Sequence, residues 1–112
     1  MNPKNVSLDP LELERYDRQL RIPGWGVEGQ KKLKKARVIV AGAGGLGCPA
    51  SLYLAATGVG HLTIIDKETV ELSNLNRQVL HWQPDVGKYK ADSVATKLQS
   101  LKPKIEVEAV KA

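Results

Sequence analysis

Phenylalanine is missing from the 112 residues, and cysteine and methionine occur once each. Aliphatic side chains and alanine therefore have to fill the interior. A single cysteine, Cys48, excludes an internal disulfide and any cysteine-only zinc site within this sequence. No apolar run approaches the length of a membrane span. The first twenty residues carry too many charges for a secretory signal, so a cytoplasmic location is expected and no membrane partner. An acidic balance is lacking too: 17 Lys and Arg against 12 Asp and Glu leave a net charge of +5. That excess permits an anionic ligand without requiring one. Much of it sits in KKLKK at 31–35, which has no interleaved aromatics and reads as the solvated face of a short helix, not as a nucleic-acid surface. The length suits one small domain, near the lower limit for a doubly wound sheet, and there is no internal repeat or low-complexity tract.

What is present is a glycine cluster in a telling place. In VIVAGAGGLGCPAS, residues 38–51, the β-branched Val38 to Val40 suit a buried strand, and Gly42, Gly44 and Gly47 then follow the pattern G-x-G-x-x-G, with Gly45 in addition. Helix formers resume behind the turn, with Pro49 where a first helical turn tolerates it. A strand, a glycine turn and a helix start leave backbone N–H groups unpaired at the positive end of a helix dipole, a site for an anion such as phosphate. Glycine-rich turns also occur simply to pack a helix closely on a strand. Cys48 stands at that helix start, where the dipole favours a thiolate, yet it reads better as a small packed residue.

The remaining elements order themselves around this unit. Residues 1–8 read as a flexible leader and 9–36 as a helical segment: Asp9-Pro10-Leu11-Glu12 is a capped start for a helix through LELERYDRQL, and GQKKLKKA is a second short helix. The helix after the glycine turn is expected to stop at Gly58. HLTIID is a second buried strand, residues 67–87 are irregular, and Ala91, Val94, Ala95, Leu98 and Leu101 recur at helical spacing in a crossover helix. IEVEAV alternates like a third strand. Residues 37–112 thus read as an α/β unit, the first half of a Rossmann-like doubly wound parallel sheet with three strands.

Asp66 lies at the tip of the second strand, 19 residues after Gly47, where a carboxylate can accept hydrogen bonds from ribose hydroxyls. A nicotinamide cofactor and ATP both carry a ribose and phosphates, so neither the turn nor Asp66 separates them. The following residues bear on that choice. A triphosphate and a leaving pyrophosphate need cations from several directions. Arg77 stands just beyond Asp66, Lys90 lies in the first turns of the crossover helix, and Asn74 and Gln78 add neutral donors. A surface helix capped by Ser73, with Arg77 merely solvated, accounts for the same residues.

These separated motifs occur together: GAGGLG, then Asp66, then SNLNRQ, then a lysine in GKYK, all preceded by RYDRQ. In this order they resemble the ubiquitin-activating superfamily, nearest the HesA/MoeB/ThiF group of sulfur-carrier adenylyltransferases of molybdopterin and thiamine biosynthesis, from about residue 11 to the end. The resemblance implies an ATP site. Gly42, Gly44, Gly45 and Gly47 line the nucleotide turn, Asp66 holds the ribose, and Asn74, Arg77, Gln78 and Lys90 surround the phosphates. Arg77 and Lys90 are the implied catalytic cations. Arg18, in RYDRQ, matches an arginine that reaches the triphosphate of the neighbouring subunit in a dimer; without the family it reads as an exposed helix residue.

The implied reaction is acyl adenylation. The C-terminal carboxylate of a ubiquitin-like sulfur-carrier protein attacks the α-phosphorus of ATP, and pyrophosphate leaves. The carboxylate is already ionised at neutral pH, so alignment and charge neutralisation do most of the catalysis. The sequence departs from the family in its omissions. The aspartate for Mg²⁺, the two CxxC pairs for a structural zinc and the further cysteine have no counterpart up to Ala112. Glu68 and Glu71 are near but off-pattern, Asp85 and Asp92 read as helix-start and exposed residues, and no metal ligand is assigned. The expectation is therefore a fragment of a longer enzyme that binds ATP weakly at best and does not adenylate alone. Its first strand is an open sheet edge, so a homodimer or strand-exchanged oligomer is expected. The alternatives are half of a nicotinamide- or flavin-dependent oxidoreductase, which gives Arg77 and Lys90 no purpose, and a carrier-binding module without chemistry.

Overall fold

A computed structural model describes residues 6–112; most of the expected leader, residues 1–5, lies outside the described residues. The elements run α1 (Pro10–Arg15), α2 (Asp17–Leu20), α3 (Gly26–Lys35), β1 (Arg37–Ala41), α4 (Gly47–Thr57), β2 (His61–Ile65), α5 (Lys90–Leu101) and β3 (Glu106–Val110). The three strands are parallel in the order β1-β2-β3, with Val38 opposite Leu62 and Leu62 opposite Val107. Parallel neighbours need crossovers, and α4 and α5 supply them.

Side-chain alternation decides where the core sits. Leu62 and Ile64 of β2 point to one face, are fully buried, and join Cys48 and Ala55 of α4 with Ala91, Val94 and Leu98 of α5. Val38, Val40, Val107 and Ala109 extend that face. The opposite face carries Ile39, Thr63 and Ile65 in register, and Ile39 is 66% exposed. The expectation of a buried first strand therefore needs correction. Among the described residues β1 has one neighbour and one covered face, so its burial alternates.

The N-terminal segment is more broken than its sequence suggests. Asp9 and Glu12 form the expected capping box, each side chain accepting the other's backbone N–H, but the helix stops at Tyr16, whose backbone leaves helical values before α2 begins. The break lets Tyr16 sink into the interior, its ring end lying close to where Gly58 would carry a Cβ. Gly58 ends α4 at φ 116°, as a left-handed glycine should. Beside it, Gln30 is fully buried, accepts hydrogen bonds from Gln19 Nε2 and Trp25 Nε1, and donates to Thr57 O at 2.8 Å. One buried amide thus fixes α2 and α3 onto the C-terminal end of α4.

Candidate functional site

The glycine turn joins β1 to α4 at the C-terminal edge of the sheet. Gly42 has φ 111° and donates its N–H to Ile65 O at 2.8 Å. The turn passes so close to the helix start that a Cβ on Gly47 would lie 1.9 Å from Gly42 O. Ala43 N–H donates to Asp66 Oδ2 at 2.9 Å, and Asp66 Oδ1 accepts from Glu68 N–H at 2.7 Å. The strand-tip carboxylate is therefore beside the turn, as the spacing predicted, and also braces it. Each carboxylate oxygen keeps a second lone pair for a ligand hydroxyl. Behind Ala43, the backbone N–H groups of Gly44, Gly45, Leu46 and Gly47 have no acceptor among the described residues. Four donors at the N-terminus of an 11-residue helix are thus left open at the positive end of its dipole.

The segment after β2 brings polar side chains to that edge. Leu72–Asn74 forms a 3₁₀ turn with Glu71 at its N-cap; Ser73, the cap in the alternative surface-helix reading, does not serve. Asn74 Oδ1 accepts Glu71 N–H at 2.8 Å, which fixes the amide orientation and leaves Nδ2 without a partner among the described residues. Gln78 is 4% exposed, its Nε2 lies 3.5 Å from the Cβ position of Gly44, and its Oε1 is buried without a hydrogen-bond partner. Arg77 packs its Cγ 4.0 Å from the Cβ position of Gly45. Its guanidinium reaches Ser73 O and Asn76 Oδ1 and meets no carboxylate among the described residues.

Lys90 opens α5 and is 5% exposed; its partner Glu68 stands at 3.4 Å and is mostly exposed. A cavity of about 420 Å³, lined by residues including Glu68, Asn74, Tyr89 and Lys90, adjoins it. Another cavity, of about 480 Å³, lies by α1 and the start of β3, where Lys34 and Lys104 already pair with Glu12 and Asp9. No group of three His, Cys, Asp or Glu among the described residues can hold a metal ion. Asp85 is not an open helix-start residue: it is buried, accepts Trp82 N–H and pairs with Lys97 at 2.6 Å.

Arg18 is the one site residue predicted from sequence that the fold does not bring to this edge. It lies on α2, 82% exposed and paired with Asp17, near the Thr57 end of α4 through its neighbour Gln19. The glycine turn is at the other end of a helix about 16 Å long by its rise per residue. Cys48 is the packed residue that its small size suggests: it is buried, and burial pushes its thiol up, against any thiolate at the helix start. His81 went unnoticed in sequence. It is 2% exposed and hydrogen-bonds Ala43 O in the glycine turn at 2.6 Å.

Comparison with known proteins gives this arrangement a lineage, because residues 16–112 match the model of the ThiF family. The chain belongs to the ThiF family. Its relatives include the adenylyltransferase and sulfurtransferase MOCS3 of Culex quinquefasciatus, 56% identical over 102 residues, or 91% of this chain and 23% of that protein. The SAMP-activating enzyme E1 of Haloferax volcanii is 50% identical over 107 residues, or 96% of this chain and 40% of that one. Among solved structures, the ThiF fold is shared by the E. coli tRNA N6-threonylcarbamoyladenosine dehydratase TcdA in complex with ATP, with a TM-score of 0.88 and 30% identity over 96% of this chain and 43% of TcdA. The chain spans less than half the length of each. The resemblance to the HesA/MoeB/ThiF group and the three-stranded Rossmann-like architecture are thereby both established.

Proposed function

We propose that this chain is the ATP-binding part of an adenylyltransferase that activates the C-terminal carboxylate of a ubiquitin-like sulfur-carrier protein. The observation that supports it most is the placing of Arg77 and Gln78 against a glycine turn whose N–H groups are free, with Lys90 linked to the same edge through Glu68 and Asp66. A dinucleotide pyrophosphate is met by such a turn alone. Two cations and two neutral amides beside it suit a triphosphate, whose charge shifts onto the leaving pyrophosphate. Gln78 Nε2, the donor end of its amide, lies 3.5 Å from the Cβ position of Gly44, on the side where a phosphate oxygen would accept from it. Relatives named adenylyltransferases and an ATP complex of a structural neighbour support the same class.

ATP supplies the α-phosphorus and the leaving pyrophosphate. The chain's residues take these roles: the N–H groups of Gly44, Gly45, Leu46 and Gly47 hold phosphate oxygens, and Asp66 accepts from ribose hydroxyls with its remaining lone pairs. Asn74 Nδ2 and the Gln78 amide steer the phosphates, while Arg77 and Lys90 neutralise charge on the leaving group. Lys90 has three donors and only a 3.4 Å contact to Glu68, which leaves it free to do so. Arg18, remote within one chain, serves the site of a second subunit in a homodimer. Mg²⁺ would be held by residues other than those described. The molybdopterin or thiamine pathway and a cytoplasmic location complete the proposal. ATP–pyrophosphate exchange, measured for a polypeptide continuing past Ala112 with a ubiquitin-like carrier, tests it: exchange that depends on the carrier and falls with Arg77→Ala supports it, and carrier-independent absence of exchange refutes it.

A further inference from the structure

We infer that His81 is a positioning residue that holds the glycine turn at a fixed distance from the helix carrying Lys90. The inference rests on the nucleotide reading for its purpose, but its geometry stands alone. Ala43, the middle residue of the first G-x-G, is clamped from two sides. Asp66 accepts its N–H, and its carbonyl meets His81 Nε2 at 2.6 Å. The other ring nitrogen, Nδ1, lies 2.9 Å from Ser93 Oγ. Ser93 is one helical turn after Lys90 on α5, on the same face. His81 N–H also donates to Gln78 O at 3.0 Å, closing the turn that presents Arg77 and Gln78. A single buried ring therefore ties together the three segments that form the proposed site.

The chemistry of the partners fixes the tautomer. A carbonyl only accepts, so Nε2 carries the proton, and in a neutral ring Nδ1 then accepts from the Ser93 hydroxyl. An imidazolium would present donors on both sides and turn Ser93 away toward Leu80 O, which lies at 3.5 Å. The charged and titratable groups around the ring are Lys90 and Lys97 from α5, Asp85 from the preceding turn, and Cys48 of α4, whose Sγ is 3.6 Å from Nε2. Burial, with help from the two lysines, holds the ring in its neutral form against the opposing pull of the Ala43 carbonyl and, more weakly, of Asp85.

The test uses the 112-residue chain with His81→Phe, His81→Gln and Ser93→Ala. Three readouts are taken: imidazole ¹⁵N shifts, hydrogen exchange of the hydrogen-bonded amides of Gly42, Ala43 and Cys48, and ATP affinity. The wild type should show the neutral Nε2–H tautomer near pH 7. His81→Phe should speed exchange at those three amides about tenfold, the loss of one hydrogen bond, leave Leu62 and Ile64 protected, and weaken ATP by a similar factor. Ser93→Ala should give a smaller effect in the same direction, and His81→Gln, whose amide can donate to Ala43 O, should restore much of both. An Nδ1–H or doubly protonated ring at pH 7, or unchanged exchange in both Ser93→Ala and a folded His81→Phe, overturns the inference. Should His81→Phe fail to fold, the tautomer and Ser93→Ala decide. Loosened turn amides, with no ATP binding even by a polypeptide continuing past Ala112, would refute the nucleotide reading while supporting the anchoring.

Discussion

Lys90 is a nearly buried ammonium whose partner is a long contact to a carboxylate that is mostly in water. A lysine placed so is poorly satisfied by its own chain. A phosphate offers it a charge-assisted hydrogen bond worth about 1.5 to 3 kcal/mol. Lys90→Met and Arg77→Ala should each weaken ATP binding by roughly tenfold to a few hundredfold, while Glu68→Gln, which frees Lys90, should leave affinity equal or higher; titration calorimetry reads all three. His81 gives a second prediction at this scale. Burial lowers its proton affinity in the folded chain, so the unfolded chain binds a proton more readily. The stabilisation is complete above the unfolded value of about 6.5 and is lost as pH falls from there through the lower folded value. Urea unfolding between pH 8 and 5 should show this decline in the wild type and a flatter profile in His81→Gln. At this scale placement was legible where spacing is local: Asp66, Arg77 and Gln78 come from short motifs and lie against the glycine turn, and Asn74 and Lys90 line one cavity. His81 was not, because its partners Ala43 and Ser93 lie 38 and 12 positions away, and a lone histidine carries no spacing signal.

At the scale of elements, α4 depends on both of its glycine ends. A Cβ at Gly47 would meet Gly42 O at 1.9 Å, and one at Gly58 would meet Gln30 Nε2 at 2.0 Å on a backbone of φ +116°. Gly47→Ala should therefore displace the nucleotide turn and abolish ATP binding, and Gly58→Ala should cost stability of about 1 to 3 kcal/mol by loosening the N-terminal helices. Comparing melting temperature with ATP affinity separates the two effects. The crossover segment relies on a different device. Asp85 and Lys97 are both nearly buried and 2.6 Å apart. Burial alone would push the Asp85 carboxyl up, but hydrogen bonds from Lys97 and Trp82 N–H outweigh it and hold the carboxyl low. This contribution is present above an unfolded value of about 3.9 and is lost as pH falls through the lower folded value. Lys97→Met strands a buried carboxylate and should cost about 3 to 5 kcal/mol in chemical denaturation. Helix caps at Asp9 and Gly58 were readable from sequence because capping is local. The break at Tyr16 was not, since it follows from where the ring packs.

Across the whole molecule, the sheet is finished on one face and open on the other. Apolar Ile39, Ile65 and Val110 share the uncovered side with Thr63, and β1 leaves a row of backbone groups without a partner strand among the described residues. Alternation in β3 was legible as a strand, but one-sided covering was not, because β1 and β2 are apolar enough to suit a sheet buried on both faces. Such a surface favours association. Light scattering of the chain at micromolar concentration should show dimers or larger species, and a monomer under those conditions would count against edge pairing. The central claim, that this edge of the sheet is made for a triphosphate, is tested most directly by thermal unfolding of the chain with millimolar ATP and magnesium against millimolar NAD. A rise in melting temperature with ATP, absent with NAD and abolished by Arg77→Ala, is the predicted result. Stabilisation by NAD, or an ATP effect indifferent to Arg77 and Lys90, would contradict it.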